Sequence, residues 1–221
     1  LTALLCLVIV AKHGYRISRD PRHSGLGRND AAYPDTAIAL IDEWHIRGNV
    51  FNQYDLGSYL IWKWYPRRKV FIDGRNQVYP VEFFKEYLSV NASAANLDRV
   101  MDKYGIDCVL VVNQVPPPGS PRGVYNYLSE SQVWRLVYWD DLHLMYLRDR
   151  PEYKEILKEN EYRCYDPVLP PELTLGVNLL VRPQECLAEL ERAVRINPAN
   201  VRARVLLMNS RKLLEQRKNT P

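Results

Sequence analysis

The residues best placed to bind a ligand lie in GNVFNQYDLGSYLIWKWYPRRKVFIDGR, Gly48 to Arg75, where short apolar runs end in polar side chains. Val50 and Phe51 stop at Asn52, and Val70, Phe71 and Ile72 stop at Asp73, Gly74 and Arg75. A third run, Ile106 to Val112, stops at Asn113. In open α/β sheets ligands bind beyond the carboxyl ends of the strands. If the three runs are parallel strands, Asn52, Asp55, Asp73, Arg75 and Asn113 share one crevice, with Tyr54 and Tyr59 on the helix between the first two. These seven residues form the candidate substrate-binding set. The same residues admit a structural reading: Asp55 caps the helix beginning at Leu56, and Asp73-Gly74 makes a tight turn.

Covalent and acid–base chemistry find little support. The sequence holds no GxSxG, no P-loop, no GxGxxG and no HExxH. The adjacent pairs Asp42-Glu43 and Asp140-Asp141 suit solvated turns better than a two-carboxylate glycosidase site, and Asp140-Asp141 reads as a hairpin turn. The histidines, His13, His23, His45 and His143, and the cysteines, Cys6, Cys108, Cys164 and Cys186, show no metal-ligand spacing. The expectation is no catalytic residue, no metal and no cofactor. Cys108 reads as a buried free thiol, and Cys164 and Cys186 are able to bridge if the domain is extracytoplasmic.

Apolar periodicity supplies the elements that must position this set. Pro34 opens a helix to about Ile46 that Gly48 stops, and Val50–Phe51 is the first strand. An aromatic helix from Leu56 to Tyr65 follows, apolar nearly all round, and Pro66 ends it. Lys69–Ile72 reads as a second strand, buried on both faces. Helices opened by Pro80 and containing Leu97, Val100, Met101 and Tyr104 come next, Gly105 closing the latter before the third strand, Ile106–Val112. PPPGSPRG, Pro116 to Gly123, is a surface loop; a short helix over Val124 to Leu128 and a hairpin from Trp134 to Leu147 complete the unit. The pattern predicts an α/β fold, a small three-layer Rossmann-like sheet with a parallel centre and an antiparallel edge hairpin, over residues 34–150.

The ends differ from this core. LTALLCLVIVA is about half the ~20 residues a spanning helix needs. It reads as the cut-off end of a transmembrane helix over residues 1–12, the alternatives being a signal-peptide core and a buried helix. A linker covers residues 13–33, and a charged helix with a Pro-rich linker covers 151–172. The net charge of +4 is uneven: residues 1–30 carry five basic and two acidic groups, 31–181 sixteen and twenty, and 182–221 nine and four. Basic ends around a mildly acidic core suit anionic head groups or solvated faces and argue against a nucleic-acid domain.

Residues 173–221 contain ECLAELERAVRINPANVRARVLLMNSRKLLEQ, which resembles one and a half tetratricopeptide repeats. Cys186 takes the small position, Leu190 the large one, Ala193 the second small one and Pro198 the closing proline, with Leu207 in the next repeat. Met208 and Arg211 depart from the glycine and tyrosine of that motif. Such a tail packs on the α/β domain or begins a longer array.

The apolar stub, the GNVFN…FIDGR block, LDRVMDKYGIDCVLVV and WRLVYWDDLHLMYLR together resemble the soluble C-terminal domain of bacterial polytopic membrane proteins described as glycosyltransferases of the polyprenyl-phosphate-sugar-dependent class. The likeness covers about residues 1–150. More distantly, Gln53-Tyr54-Asp55-Leu56-Gly57 takes the place of the WWDYG segment of oligosaccharyltransferase catalytic subunits, with neither tryptophan present; that likeness leaves an acceptor-reading role open to Tyr54 and Asp55. In the resembled class the catalytic carboxylates lie in the membrane part. The resemblance therefore implies a non-catalytic accessory domain in the inner membrane protein, extracytoplasmic, partnered by its own N-terminal membrane domain and by a lipid-linked sugar or acceptor. The alternative is a membrane-anchored interaction module whose tail recruits a protein partner. The basic residues after the stub oppose the sidedness that the resemblance implies.

Overall fold

The computed structural model describes residues 32–114 and 123–218. The expected membrane stub, nearly all of the linker after it and most of the PPPGSPRG loop lie outside the described residues. No helix among the described residues is long and apolar enough to cross a membrane.

The chain is a mixed α/β structure. In order it forms α1 (Asp35–Glu43), β1 (Asn49–Asn52), α2 (Tyr54–Trp64), a 3-10 turn (Asn76–Val78), α3 (Val81–Ser89), α4 (Ala94–Lys103), β2 (Ile106–Val112), α5 (Val124–Ser129), β3 (Trp134–Trp139) and β4 (His143–Arg148). After a 3-10 turn at Pro151–Tyr153 come α6 (Lys154–Asn160), a π-helical turn (Glu172–Gly176), α7 (Val177–Val181), α8 (Pro183–Ile196) and α9 (Val201–Lys218). The sheet order is β1-β2-β4-β3, with β1 and β2 parallel and the other pairs antiparallel.

The expected three-strand parallel centre is therefore a single parallel pair. Lys69–Ile72 is not a strand. It runs past β1, where the Asn52 side chain takes the part of a backbone partner: its Oδ1 accepts from Phe71 N–H at 2.8 Å and its Nδ2 donates to Ile72 C=O at 2.8 Å. Of this run only Ile72 is fully buried; Val70 and Phe71 are half-buried and Lys69 is exposed, so the segment is neither paired nor covered on both faces as expected. The hairpin lies at one edge of the sheet, antiparallel, as expected; β4 joins it to the parallel pair by pairing with β2 along five residues.

Each face of the sheet carries its own apolar cluster. Val50, Cys108, Leu110, Met145 and Leu147 point to the side covered by α1, α2 and α6, where Ile41, Leu60, Trp64 and Leu157 are buried. Phe51, Val109, Val111, Leu144 and Tyr146 point to the other side, against Leu97, Val100 and Met101 of α4 and Leu128 of α5. Alternation breaks twice: on β2, Ile106 and Cys108 fall in opposite clusters where the β1–β2 register shifts, and on β3, Leu136 belongs to the second cluster, Val137 and Tyr138 both to the first, and Trp139 to the second again. The β3–β4 register shifts at this point, and a bulge explains both facts, since one extra residue puts two successive side chains on one face.

Two helix ends follow from backbone geometry. His45 takes φ +50, its N–H bonds Asp42 C=O, and Ile46 N–H bonds Ile41 C=O. That double closure ends α1 at Glu43, before the Gly48 expected to stop it. Gly105 at φ +58 ends α4 as expected.

The tail packs on the sheet. Leu175, Leu179, Cys186, Leu190, Ala193 and Ala203 join the same cluster as Trp139 and Tyr146. Polar contacts fix the angle: Arg192 donates to the carbonyls of Glu159 at 2.7 Å and Glu161 at 2.7 Å, past the end of α6. Asp141, on the hairpin turn, accepts from the Val201 and Arg202 N–H groups at 2.7 and 2.9 Å, capping α9 from a distant strand. A carboxylate at a helix N-terminus satisfies orphan amides and the helix dipole together. Asp141→Ala is expected to destabilise the protein by about 1–2 kcal/mol, visible as a lower urea midpoint; an unchanged midpoint would show that solvent caps α9 equally well.

Candidate functional site

The carboxyl ends of β1 and β2 lie on one edge, and the amides there are occupied in bonding backbone. Asn52 is fully buried and holds the 71–72 segment. Gln53, beside it, does the same on the other flank, accepting from Val112 N–H at 2.7 Å and donating to Tyr125 Oη at 2.6 Å. Gln53 was not among the sequence candidates. A polar side chain at a parallel strand's end, next to an amide already suspected, was the available signal.

Asp73 sits beneath the loop with its side chain wholly buried. Arg75 surrounds it, with N–H at 2.9 Å and Nε at 2.8 Å from Oδ1 and Nη2 at 2.9 Å from Oδ2, and the Tyr79 hydroxyl donates to Oδ2. These bonds, Arg75's first, hold the carboxyl well below its usual range against the opposing cost of burial. Burial and the neighbouring carboxylate push the Tyr79 phenol up to about 12. The guanidinium itself remains exposed. Asp73 is thus a structural anchor that presents an arginine outward.

Gly57 explains why the loop lies where it does. A Cβ there would stand 2.0 Å from Ile72 O and 2.6 Å from Asp73 Cα, so only a glycine lets α2 rest directly on the segment carrying Asp73. Beneath the loop lies an aromatic floor: Phe71 meets Phe51, Phe83 and Tyr104 at ring separations of 4.9, 5.2 and 5.2 Å.

Tyr54 and Asp55 occupy the first turn of α2, above this floor. The Tyr54 hydroxyl donates to Asn76 Oδ1 at 2.6 Å, and Tyr54 N–H donates to the Tyr87 hydroxyl at 3.0 Å. Asp55 is exposed, and its carboxylate makes no hydrogen bond or ion pair among the described residues. It does not hold Arg75. Its charge is still felt by the half-buried phenols of Tyr87 and Tyr125, both raised by burial first and by Asp55 as a lesser cause. Nor does Asp55 cap the helix from outside; it stands inside the first turn, after Gln53 as the residue before the helix.

Two candidates fall elsewhere. Tyr59 turns toward α1, donating to Asp35 Oδ1 at 2.6 Å and stacking on Tyr33 at 4.3 Å. Asn113 belongs to the hairpin turn, bonding Leu142 C=O through its N–H and Asp140 C=O through Nδ2 at 2.7 Å.

That turn holds a network the sequence did not reveal. Asp140 is buried, not solvated. It accepts from the Leu142 and His143 N–H groups at 2.8 and 2.7 Å, from the Tyr138 hydroxyl at 2.5 Å and from Asn197 Nδ2 at 3.3 Å, with His143 Nδ1 at 3.2 Å. Burial works to raise its pKa, yet the bonds prevail and hold it below the usual range. Asn197 lies 57 residues from Asp140, so no local spacing pointed to the contact.

No family model, curated protein or solved structure matches this chain. The site must speak for itself. At the strand ends it offers one unpaired carboxylate, one exposed guanidinium on a buried anchor and tyrosine rings. Among the described residues, donor atoms close enough to share a cation occur in the group of Cys164, Glu185 and Glu189, within 4.8 Å of one another and apart from the strand ends.

Proposed function

We propose that this chain is the extracytoplasmic accessory domain of a bacterial inner-membrane protein of the glycosyltransferase-like class, binding an acceptor or lipid-linked sugar without performing the transfer. In this reading the two-faced sheet is a small Rossmann-like three-layer core and the helical end is tetratricopeptide-like. The observation that carries the proposal is the Asp55 carboxylate, exposed and unbonded at the start of α2, with Tyr54 beside it and the Arg75 guanidinium presented nearby on Asp73. Free carboxylate oxygens accept from hydroxyl groups, a guanidinium binds phosphate, and tyrosine rings stack on apolar ring faces. A phosphate-linked sugar has all three features.

Replacing Asp55 or Tyr54 by alanine is expected to leave folding within about 1 kcal/mol of the parent, since neither makes a buried bond. In the full-length protein the same changes should abolish complementation of a strain lacking it. Variants that are stable and fully active would refute the binding role.

A second reading, an adaptor working through its tail, is favoured by Val205, Met208 and Leu213 of α9, which are 44%, 63% and 43% exposed. Met208→Glu separates the readings: it removes an adaptor's function and leaves sugar transfer unchanged.

A further inference from the structure

Cys164 and Cys186 are 22 residues apart, one in the irregular stretch after α6 and the other on α8. The fold lays Cys164 against the stretch of α8 that carries Cys186: its sulfur stands within 4.8 Å of carboxylate oxygens of Glu185 and Glu189, the residues that bracket Cys186 on that helix. The surrounding bonds show that the approach is built and not incidental. Glu189, one turn along α8 from Cys186, accepts from the Arg163 and Cys164 N–H groups at 2.9 and 2.9 Å, and Asn178 Nδ2 donates to Cys164 C=O at 3.0 Å. Two side-chain bonds to Cys164 and one to Arg163 therefore clamp this backbone against α7 and α8. Both sulfurs are buried, with Cys164 1% and Cys186 0% exposed, and both residues lie in the cluster joining the tail to the sheet.

We propose that Cys164 and Cys186 are a disulfide-forming pair, whose bond fastens the helical tail to the α/β core in an oxidising compartment. The oxidant is a disulfide of the glutathione or thiol-oxidoreductase class. One cysteine, as thiolate, attacks that disulfide to give a mixed disulfide and one released thiol; the second cysteine attacks the mixed disulfide, closing the bond and releasing the other thiol. Two protons and two electrons leave the protein, and the oxidant is reduced to two thiols. Both sulfurs are buried in the docked state, out of reach of an external disulfide. Closure accordingly belongs to the folding chain, before α8 covers Cys164, and the native reduced protein reacts slowly. The inference does not depend on what the strand-end site binds.

The test is refolding of the whole chain from denaturant in a glutathione redox buffer, beside native reduced protein placed in the same buffer. Refolding should reduce the four thiols of the sequence to two, remove about 2 Da from the mass and link the Cys164 and Cys186 peptides. The linked form should melt roughly 5–10 °C above the reduced form, a difference absent from Cys186→Ala and from Cys164→Ala. Native reduced protein should form the bond at least tenfold more slowly. Two outcomes would overturn the proposal: both cysteines still alkylated after refolding, or one equivalent of zinc retained by the reduced protein and lost on Glu189→Gln, which would assign the thiols with Glu185 and Glu189 to a metal.

Discussion

Replacing Gly57 by valine is expected to destabilise the protein by at least about 3 kcal/mol, the largest effect of any single change at the strand ends. The contact it creates is with backbone: Ile72 O at 2.0 Å and Asp73 Cα at 2.6 Å from the first added carbon. No side-chain rotation relieves it. Either α2 lifts from the loop, uncovering Leu56 and Leu60, or the loop shifts and the two bonds to Asn52 break. Alanine should follow in the same direction with a smaller loss. Thermal melts of the two variants check this, and parental melting of Gly57→Val would mean that the helix and loop do not touch in solution.

The second large effect concerns Asp73. Asp73→Ala removes three bonds to Arg75 and one to Tyr79, most of them charge-assisted, and about 2–3 kcal/mol should be lost. The pH dependence has a definite sign. The folded carboxyl titrates below its unfolded value, so its contribution is whole above about pH 4 and declines as pH falls toward the folded value. Asp140, depressed likewise, also loses its contribution as pH falls below its unfolded value. Asp73→Asn, which takes up no proton, should lower stability at neutral pH and flatten its decline in acid relative to the parent. Equal slopes of unfolding free energy against pH for parent and variant would exclude the Arg75 pairing as the cause.

The contrast between Ile106–Val112 and Lys69–Ile72 shows where sequence reading succeeds and where it stops. Both hold apolar runs, but Ile106–Val111 is buried throughout whereas of Lys69–Ile72 only Ile72 is fully buried, and pairing depends on the neighbours as well as on the run. Seven residues between Gly105 and Asn113 commit to the ladder. A short run beside a strand ending in asparagine is captured by that side chain instead. The helices were legible through spacing, with α1 shortened by a left-handed His45 that no pattern announced. At the candidate site, the structure pairs Asp73 with Arg75 and leaves Asp55 apart, a distinction that a shared crevice at the strand ends does not draw. The Asp140–Asn197 bond, the Asp141 cap and the Glu189 bonds to Arg163 and Cys164 each join residues more than 20 positions apart. Local spacing carries no trace of such contacts, because each depends on how the helical tail lies against the rest of the chain.

The way Asn52 holds the Lys69–Ile72 segment also bears on how this chain behaves among its own copies. A free strand edge is a template on which another chain's backbone assembles. Along β1 that edge is overlaid by a passing segment, which offers two amide contacts and no repeating ladder. On the opposite side of the sheet, Tyr162 N–H reaches Leu136 C=O at 2.8 Å, so β3 is occupied from outside the hairpin at that point. Both margins of the sheet are thus interrupted by contacts from the same chain, and an added strand that ran the full length of either edge would have to displace them.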